Sequence, residues 1–158
     1  MGTEGAYNFG GYFNAGLIST YGYRTNQGHF HRTSTDYFAP VTFVPDMNGL
    51  VGTVVCQSGW KWTGMSGDLH PSSRCGSITT ISYDLNNLYP APAFEPAFIR
   101  ATMKGDHGDS GAAIVWNTIY GYGAVSVLHG GPNAGDSPVI SSRMDYILYI
   151  WGLQLTPF

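Results

Sequence analysis

The sequence has few charged residues and few of the strongest helix formers. Charged residues make up 11% of the 158 residues, against about a quarter in typical soluble proteins. Glutamate occurs only at Glu4 and Glu95, and lysine only at Lys61 and Lys104. With 43% hydrophobic residues, the composition excludes an intrinsically disordered chain, which needs low hydrophobicity and high net charge. Few helix formers beside 22 glycines and 11 tyrosines favour an all-β protein with many turns.

Further absences restrict the classes of partner. A formal net charge of -3 leaves no excess of positive charge to neutralise nucleic-acid phosphates. No apolar run reaches the roughly 18 residues that a membrane-spanning helix needs. The first residues also lack the basic and apolar regions of a signal peptide. We therefore expect neither a nucleic-acid nor a membrane partner.

Six short segments rich in β-branched and aromatic residues alternate with turn-forming residues. They cover residues 37–44, 52–57, 76–83, 98–103, 112–116 and 121–128. Short strands at such spacing predict a sandwich or a barrel. The glycine-rich and aromatic first thirty residues fit either short strands or a partly ordered extension.

One helix is predicted, over residues 141–151. Ser141 is its expected N-cap, and Gly152 follows its last residue. An apolar stripe at helical spacing, made of Met144, Ile147, Leu148 and Trp151, predicts a helix that packs against the barrel and binds nothing.

The only cysteines, Cys56 and Cys75, bracket a loop rich in glycine and tryptophan. Two thiols with His70 fall short of the four ligands of a structural zinc site. An even count around a turn-rich loop favours a disulfide bond, worth about 3 kcal/mol, over two free thiols. A disulfide in turn indicates an oxidising compartment.

The segment with the clearest chemical meaning is Gly108-Asp109-Ser110-Gly111, followed by an apolar strand. Glycines on both sides of a serine allow a sharp turn that points backbone N–H groups at one place, where an oxyanion could bind. Four residues are a weak pattern, and a polar β-turn is the alternative. A second Gly-Asp-Ser, ending at Ser137 and followed by Pro138, is expected to be only a turn.

Four features in order make the chain resemble a known family. The first is an acidic residue, Asp36, before an apolar strand, and the second is a loop that contains Cys-Gln-Ser-Gly, then Thr-Gly, then Cys-Gly. The third is the Gly-Asp-Ser-Gly turn. The fourth is Ser126 with His129-Gly130-Gly131, shortly before the terminal helix. From about residue 34 to the end, this order is similar to trypsin-like serine proteases of the bacterial streptogrisin and α-lytic type. The resemblance implies that Cys56 and Cys75 are bonded to each other, and it implies a secreted protein.

The resemblance also implies roles for individual residues. Ser110 would be the nucleophile, and the N–H groups of Gly108 and Ser110 would form the oxyanion hole. Asp36 would orient the general base, and Asp109 would support the nucleophile turn. One wall of the primary pocket, which also pairs with the substrate backbone, would be Ser126, Val127 and Leu128. The opposite wall would be residues 104–107, including Lys104 and His107. No metal or organic cofactor is implied.

The expected general base is missing from its usual place. The family histidine precedes the aspartate by a few tens of residues, yet residues 1–28 contain no histidine. His29 and His31 lie close to Asp36 and are expected to be loop residues, with a substitute base as the lesser alternative. His129 would lie near the primary pocket and favour an acidic side chain there.

We therefore expect an all-β, chymotrypsin-like double barrel with an incomplete first barrel. Residues 1–50 would form the partial first barrel and its leader, and residues 51–158 the second barrel and helix. The expected function is a monomeric serine endopeptidase lacking its base-bearing portion and acting on peptides or proteins. The alternatives are a non-catalytic module that binds peptides through the same cleft, and an unrelated β-barrel or capsid-like structural domain.

Overall fold

The protein is described by a computed structural model. It describes residues 41–57, 75–83, 98–105, 109–131 and 138–155, and only the backbone of residues 3–8, 15–19, 29–31, 38–40 and 58. The strands are β1 (Thr3–Asn8), β2 (Ala15–Ser19), β3 (His29–His31), β4 (Phe38–Phe43), β5 (Val54–Ser58), β6 (Cys75–Tyr83), β7 (Phe98–Ala101), β8 (Ala113–Thr118), β9 (Gly121–Gly130) and β10 (Val139–Arg143). A 3-10 turn at Met47–Gly49 and helix α1 (Met144–Trp151) complete the description.

Strands β5 to β10 form a closed antiparallel barrel. Their order is β10-β7-β6-β5-β8-β9, and β9 pairs with β10 to close the ring. The all-β prediction is confirmed, and each of the six predicted segments overlaps an observed strand. The apolar residues Val55, Ile78, Ile99, Val125 and Val139 fill the interior and are almost completely buried. Closure leaves none of these six strands as a free edge within the ring.

The N-terminal strands are arranged in two further pairs. β1 and β2 pair antiparallel, as do β3 and β4, so the first thirty residues contain short strands. β4 also runs parallel to the beginning of β9, with Val41 beside Tyr122. Met47 and Leu50 belong to the core of the six-stranded barrel. The proposed boundary at residue 50 stays a prediction.

The C-terminal helix is present, but its first residues were predicted wrongly. Ser141 and Ser142 are buried in β10, where they pair with β7 and β9. Pairing on both sides satisfies their backbone groups, so Ser141 is not an N-cap; that position belongs to Arg143, which makes no side-chain cap. The Arg143 guanidinium instead binds Asp145 in the first turn, at 3.0 and 2.6 Å.

The other end and the inner face of the helix agree with the prediction. Ile147 is buried, and Met144 packs against Val41, Val115 and Ala124. Gly152 adopts a left-handed conformation with φ of 60°, which glycine tolerates best. The N–H of Leu153 donates to the Leu148 carbonyl at 2.8 Å, as in a Schellman motif.

Candidate active site

A tight turn before β8 carries Ser110. The N–H of Ala112 donates to the Asp109 carbonyl at 2.9 Å, which makes Asp109–Ala112 a β-turn. Gly111, third in the turn, has φ of 88°, as a type II turn requires, and glycine reaches this value without strain. Asp109 is only 1% exposed, whereas Ser110 is exposed. The turn therefore presents the serine hydroxyl at the surface.

Two further hydrogen bonds hold this turn against β9. The N–H of Gly111 donates to the Leu128 carbonyl at 2.8 Å, and the N–H of Leu128 donates to the Ala112 carbonyl at 2.8 Å. These bonds and the turn's own use the amides of Gly111 and Ala112. Among the residues that the structure describes, the amide of Ser110 has no backbone acceptor. It therefore suits a donor to a bound oxyanion.

The hydroxyl of Ser110 lies beside His129. Its Oγ donates to the His129 carbonyl at 3.0 Å. Ile140 pairs with Gly130 and Ser141 pairs with Leu128, so His129 is the extra residue of a β-bulge. Bulges bend a strand and redirect its groups, and this one directs the His129 carbonyl toward the turn that carries Ser110.

The imidazole of His129 is perturbed by burial. Desolvation lowers the pKa of His129 below its ordinary value of 6.5, because burial disfavours the charged form. The unfolded chain therefore binds a proton at this residue at a higher pH than the folded chain does. The neutral His129 side chain therefore contributes to the free energy of unfolding above pH 6.5. This contribution is lost as the pH falls toward the lowered pKa of the folded protein.

We expect the wild-type protein to lose more stability between pH 7.5 and pH 5 than His129→Gln does. The variant carries no titrating group at this position, while the other four histidines of the sequence are the same in both proteins. Urea unfolding at a series of pH values measures the difference. If the free energy of unfolding changed with pH in the same way for both proteins, the folded state would not disfavour protonation of His129.

The predicted pocket wall of Ser126, Val127 and Leu128 lies inside β9. Ser126 and Leu128 are buried, and the segment has β8 on one side and β10 on the other. The Leu128 carbonyl and N–H are both hydrogen-bonded to the turn that carries Ser110. A role in pairing with substrate stays a prediction.

The opposite predicted wall of the pocket begins at Lys104. Gln57, which was not predicted from the sequence as a site residue, fixes the backbone of Lys104. The side chain of Gln57 is 1% exposed, and its Nε2 donates to the Lys104 carbonyl at 2.5 Å. Its Oε1 is buried with no partner among the described residues. The sequence held one indication of a role for Gln57, because it is a polar residue in an apolar strand, directly after Cys56.

Several predicted site residues lie outside the described residues. They are Asp36, His107 and Gly108. The backbone of His29 and His31 belongs to β3, opposite Pro40 and Phe38 of β4. β4 itself meets β9 at Tyr122 and Gly123, about 20 Å along the strand from His129 at roughly 3.3 Å per residue.

The disulfide between Cys56 and Cys75 is present, as predicted. The two residues are directly opposite each other on β5 and β6, and Cys56 also faces Val115 of β8. The bond therefore fixes the strand that supplies Gln57. In the described part of the chain, no three potential metal ligands come together, and no helix there is long and apolar enough to cross a membrane.

Two solved structures share this architecture. One is a glutamic acid-specific serine protease described as using a novel histidine triad in substrate binding; it is 15% identical, with a TM-score of 0.72 over 98% of this chain and 73% of that chain. The other is a chymotrypsin from Cellulomonas bogoriensis, 21% identical, with a TM-score of 0.72 over 99% of this chain and 76% of that chain. This chain has the chymotrypsin-like protease fold.

The likeness confirms the predicted resemblance at the level of the fold. At these identities it does not extend to the streptogrisin and α-lytic type, which stays a prediction. No protein-family model matches the chain, and no curated protein does. Within the chymotrypsin-like fold, the six-stranded barrel with its C-terminal helix is the part that carries Ser110.

Proposed function

We propose that this chymotrypsin-like protein is a serine endopeptidase that hydrolyses peptide bonds through a Ser110 acyl-enzyme. The observation that carries the proposal is the exposed Ser110 side chain on a type II turn. The turn is fixed by three backbone hydrogen bonds. A rigid support of this kind positions a nucleophile without a loss of entropy during the reaction.

The proposed reaction has two halves. Ser110 Oγ attacks the substrate carbonyl carbon, its proton passes to a general base, and the N–H groups of Ser110 and Gly108 bind the developing oxyanion. The base then protonates the leaving amine as the C–N bond breaks. Water attacks the resulting ester, gives its proton to the base and releases the acid, while Ser110 regains its proton. No cofactor takes part.

The general base is the part of the proposal that depends on groups beyond the described site. Without a base the serine hydroxyl is a weak nucleophile at neutral pH. Asp36 is proposed to orient an imidazole, for which His29 and His31 of β3 are the nearest candidates in the sequence. Asp36→Asn should then lower the labelling rate of Ser110, because the imidazole would lose its orienting carboxylate.

The substrate backbone is proposed to lie along residues 129–131. Both backbone groups of Leu128 are occupied, so pairing with a peptide begins after it. A Cβ built on Gly130 would meet none of the described residues within 4 Å, and Gly131 is exposed. This stretch therefore has room for a peptide beside the Ser110 hydroxyl.

A fluorophosphonate probe tests the proposal. We expect it to label the wild-type protein at Ser110, and Ser110→Ala to abolish the labelling, because phosphonylation needs an activated hydroxyl. Ser137→Ala is the matched control, since it alters the second Gly-Asp-Ser of the sequence and should keep the label. Wild-type protein that stays unlabelled, or a label located elsewhere than Ser110, would contradict an assembled catalytic site.

A non-catalytic peptide-binding module is the second candidate. It is favoured by the Ser110 hydroxyl, which donates to a main-chain carbonyl, and by β4, which meets the opposite end of β9 from His129. Saturable binding of peptides, weakened by a bulky side chain at Gly130 and accompanied by no fluorophosphonate labelling, would support this function over the first.

The proposed location is outside the cell, and the proposed state is a monomer. The Cys56–Cys75 disulfide supports an oxidising compartment, because reducing compartments keep thiols free. Fractionation of the producing organism, with thiol trapping of the recovered protein, would test the location.

A further inference from the structure

We propose that the imidazole of His129 is the general base that takes the proton of the Ser110 hydroxyl. The inference rests on the proposed function of Ser110, because it names a catalytic residue of that same site. It arises from the contact between Ser110 and His129, from the β-bulge at His129 and from the positions of two other histidines.

The contact places the side chain of His129 close to the nucleophile. Ser110 Oγ lies 3.0 Å from the His129 carbonyl oxygen. The Cα of His129 is two covalent bonds from that oxygen, and its side chain begins at this Cα. The gap between Cα and Ser110 Oγ is therefore one that an imidazole side chain spans by rotation about its own torsions.

The backbone on both sides of His129 is fixed. Leu128 is hydrogen-bonded through its N–H and its carbonyl to Ala112 and Gly111, and Gly130 pairs with Ile140 of β10. The bulge between these two anchored residues sets the direction of the His129 carbonyl and of its side chain. Bulges next to active sites commonly serve to aim a side chain in this way.

The protonation state of the imidazole suits a base. The side chain of His129 is half-buried, and desolvation lowers its pKa, so the ring is neutral at pH 7. One nitrogen of a neutral imidazole is an acceptor, and a serine hydroxyl hydrogen rotates to suit its acceptor. The hydrogen can therefore turn from the His129 carbonyl to the ring of the same residue, and contacts of this kind often tighten only when substrate binds.

Two other histidines lie far from the nucleophile. His29 and His31 belong to β3, which pairs with β4. β4 meets β9 at Tyr122, at the opposite end of β9 from His129. Among the residues whose backbone the structure describes, His129 is therefore the histidine nearest to Ser110.

The proton transfers balance over the two halves of the reaction. While Ser110 Oγ forms a bond to the substrate carbonyl carbon, its proton moves to the His129 ring and the carbonyl π electrons move to the oxygen. The imidazolium then gives this proton to the leaving amine as the C–N bond breaks. In the second half, the ring takes a proton from the attacking water and returns it to Ser110 Oγ.

Fluorophosphonate labelling of His129→Gln tests the inference, because glutamine keeps a polar side chain but accepts no proton at neutral pH. We expect the rate of labelling at Ser110 to fall about 100-fold or more. His70→Gln is the matched control, since it makes the same change at a histidine with no proposed role in the site, and it should keep the wild-type rate.

Rescue by free imidazole separates a loss of the base from a loss of structure. His129→Ala removes the ring, so added imidazole should raise the labelling rate of this variant at least tenfold. It should leave Ser110→Ala unlabelled. The urea midpoint of each His129 variant shows whether the protein being labelled is folded, and a folded His129→Ala that does not respond to imidazole would count against the base.

The outcomes separate the two proposals. Labelling at Ser110 that keeps its wild-type rate in His129→Gln, or that is lost instead in His29→Gln or His31→Gln, would overturn His129 as the base while keeping the proposed function. Wild-type protein that stays unlabelled would overturn the proposed function, and the inference would fall with it.

Discussion

Gly76→Ala is expected to lower the free energy of unfolding by about 3 kcal/mol or more. A Cβ built on Gly76 would lie 2.2 Å from the Met103 nitrogen and 2.8 Å from the Met103 Cα. These are backbone atoms, so no side-chain rotation can relieve the overlap. β6 and the chain after β7 would have to separate.

The separation would break specific hydrogen bonds. The N–H of Thr102 donates to the Ser77 carbonyl at 3.0 Å, and the N–H of Ser77 donates to Thr102 Oγ1 at 2.9 Å. Met103 would leave the core, and Lys104 beside it would lose its fixed position. We therefore expect labelling of Ser110 to change together with stability.

Urea unfolding of Gly76→Ala beside Gly130→Ala measures the effect. Gly130 is also a strand glycine, but a Cβ there would lie more than 4 Å from every other residue that the structure describes, apart from its chain neighbours. Gly130→Ala should therefore stay within about 1 kcal/mol of the wild-type protein. Similar unfolding midpoints for the two variants would show that β6 does not approach Met103 this closely.

Replacing both cysteines, in Cys56→Ser/Cys75→Ser, is expected to cost about 3 kcal/mol. The bond closes a loop with a sequence separation of 19 residues, and its removal enlarges the conformational freedom of the unfolded chain. The bond also fixes β5 to β6 next to Gln57. We therefore expect that removing the disulfide also loosens the backbone of Lys104, which Gln57 binds.

Chemical reduction provides the control for the disulfide. Dithiothreitol should shift the urea midpoint of the wild-type protein toward that of the double variant, and it should leave the midpoint of the double variant unchanged. A double variant as stable as the oxidised wild-type protein would show that the bond contributes nothing to folding.

The strands were predictable because their signal is local. β-branched and aromatic residues between turn formers gave the positions of β4 to β9 within a few residues. β10 was missed because Ser141 and Ser142 have no strong local preference, and their pairing with β7 and β9 overrides their tendency to cap helices. Where one strand is stabilised mainly by its neighbours, the segment's own residues carry little signal.

The candidate site was predictable in the same uneven way. The bend at Ser110 follows from its flanking glycines, and Gly111 at φ of 88° uses the freedom that the sequence offered. The β-bulge at His129 and the hydrogen bond from Gln57 to Lys104 were not foreseen. Each joins residues that are far apart in sequence, and no local pattern specifies such a pair.

The sequence by itself determined an all-β chain, the position of most strands and the tight turn at Ser110, because side-chain shape and glycine content act on neighbouring residues. Only the tertiary structure decided that β9 and β10 close the barrel, that the His129 carbonyl meets the Ser110 hydroxyl and that Val139 lies against Gly105. These contacts depend on strand register around a closed ring. A shift of one residue in a strand would turn its side chains to the opposite face.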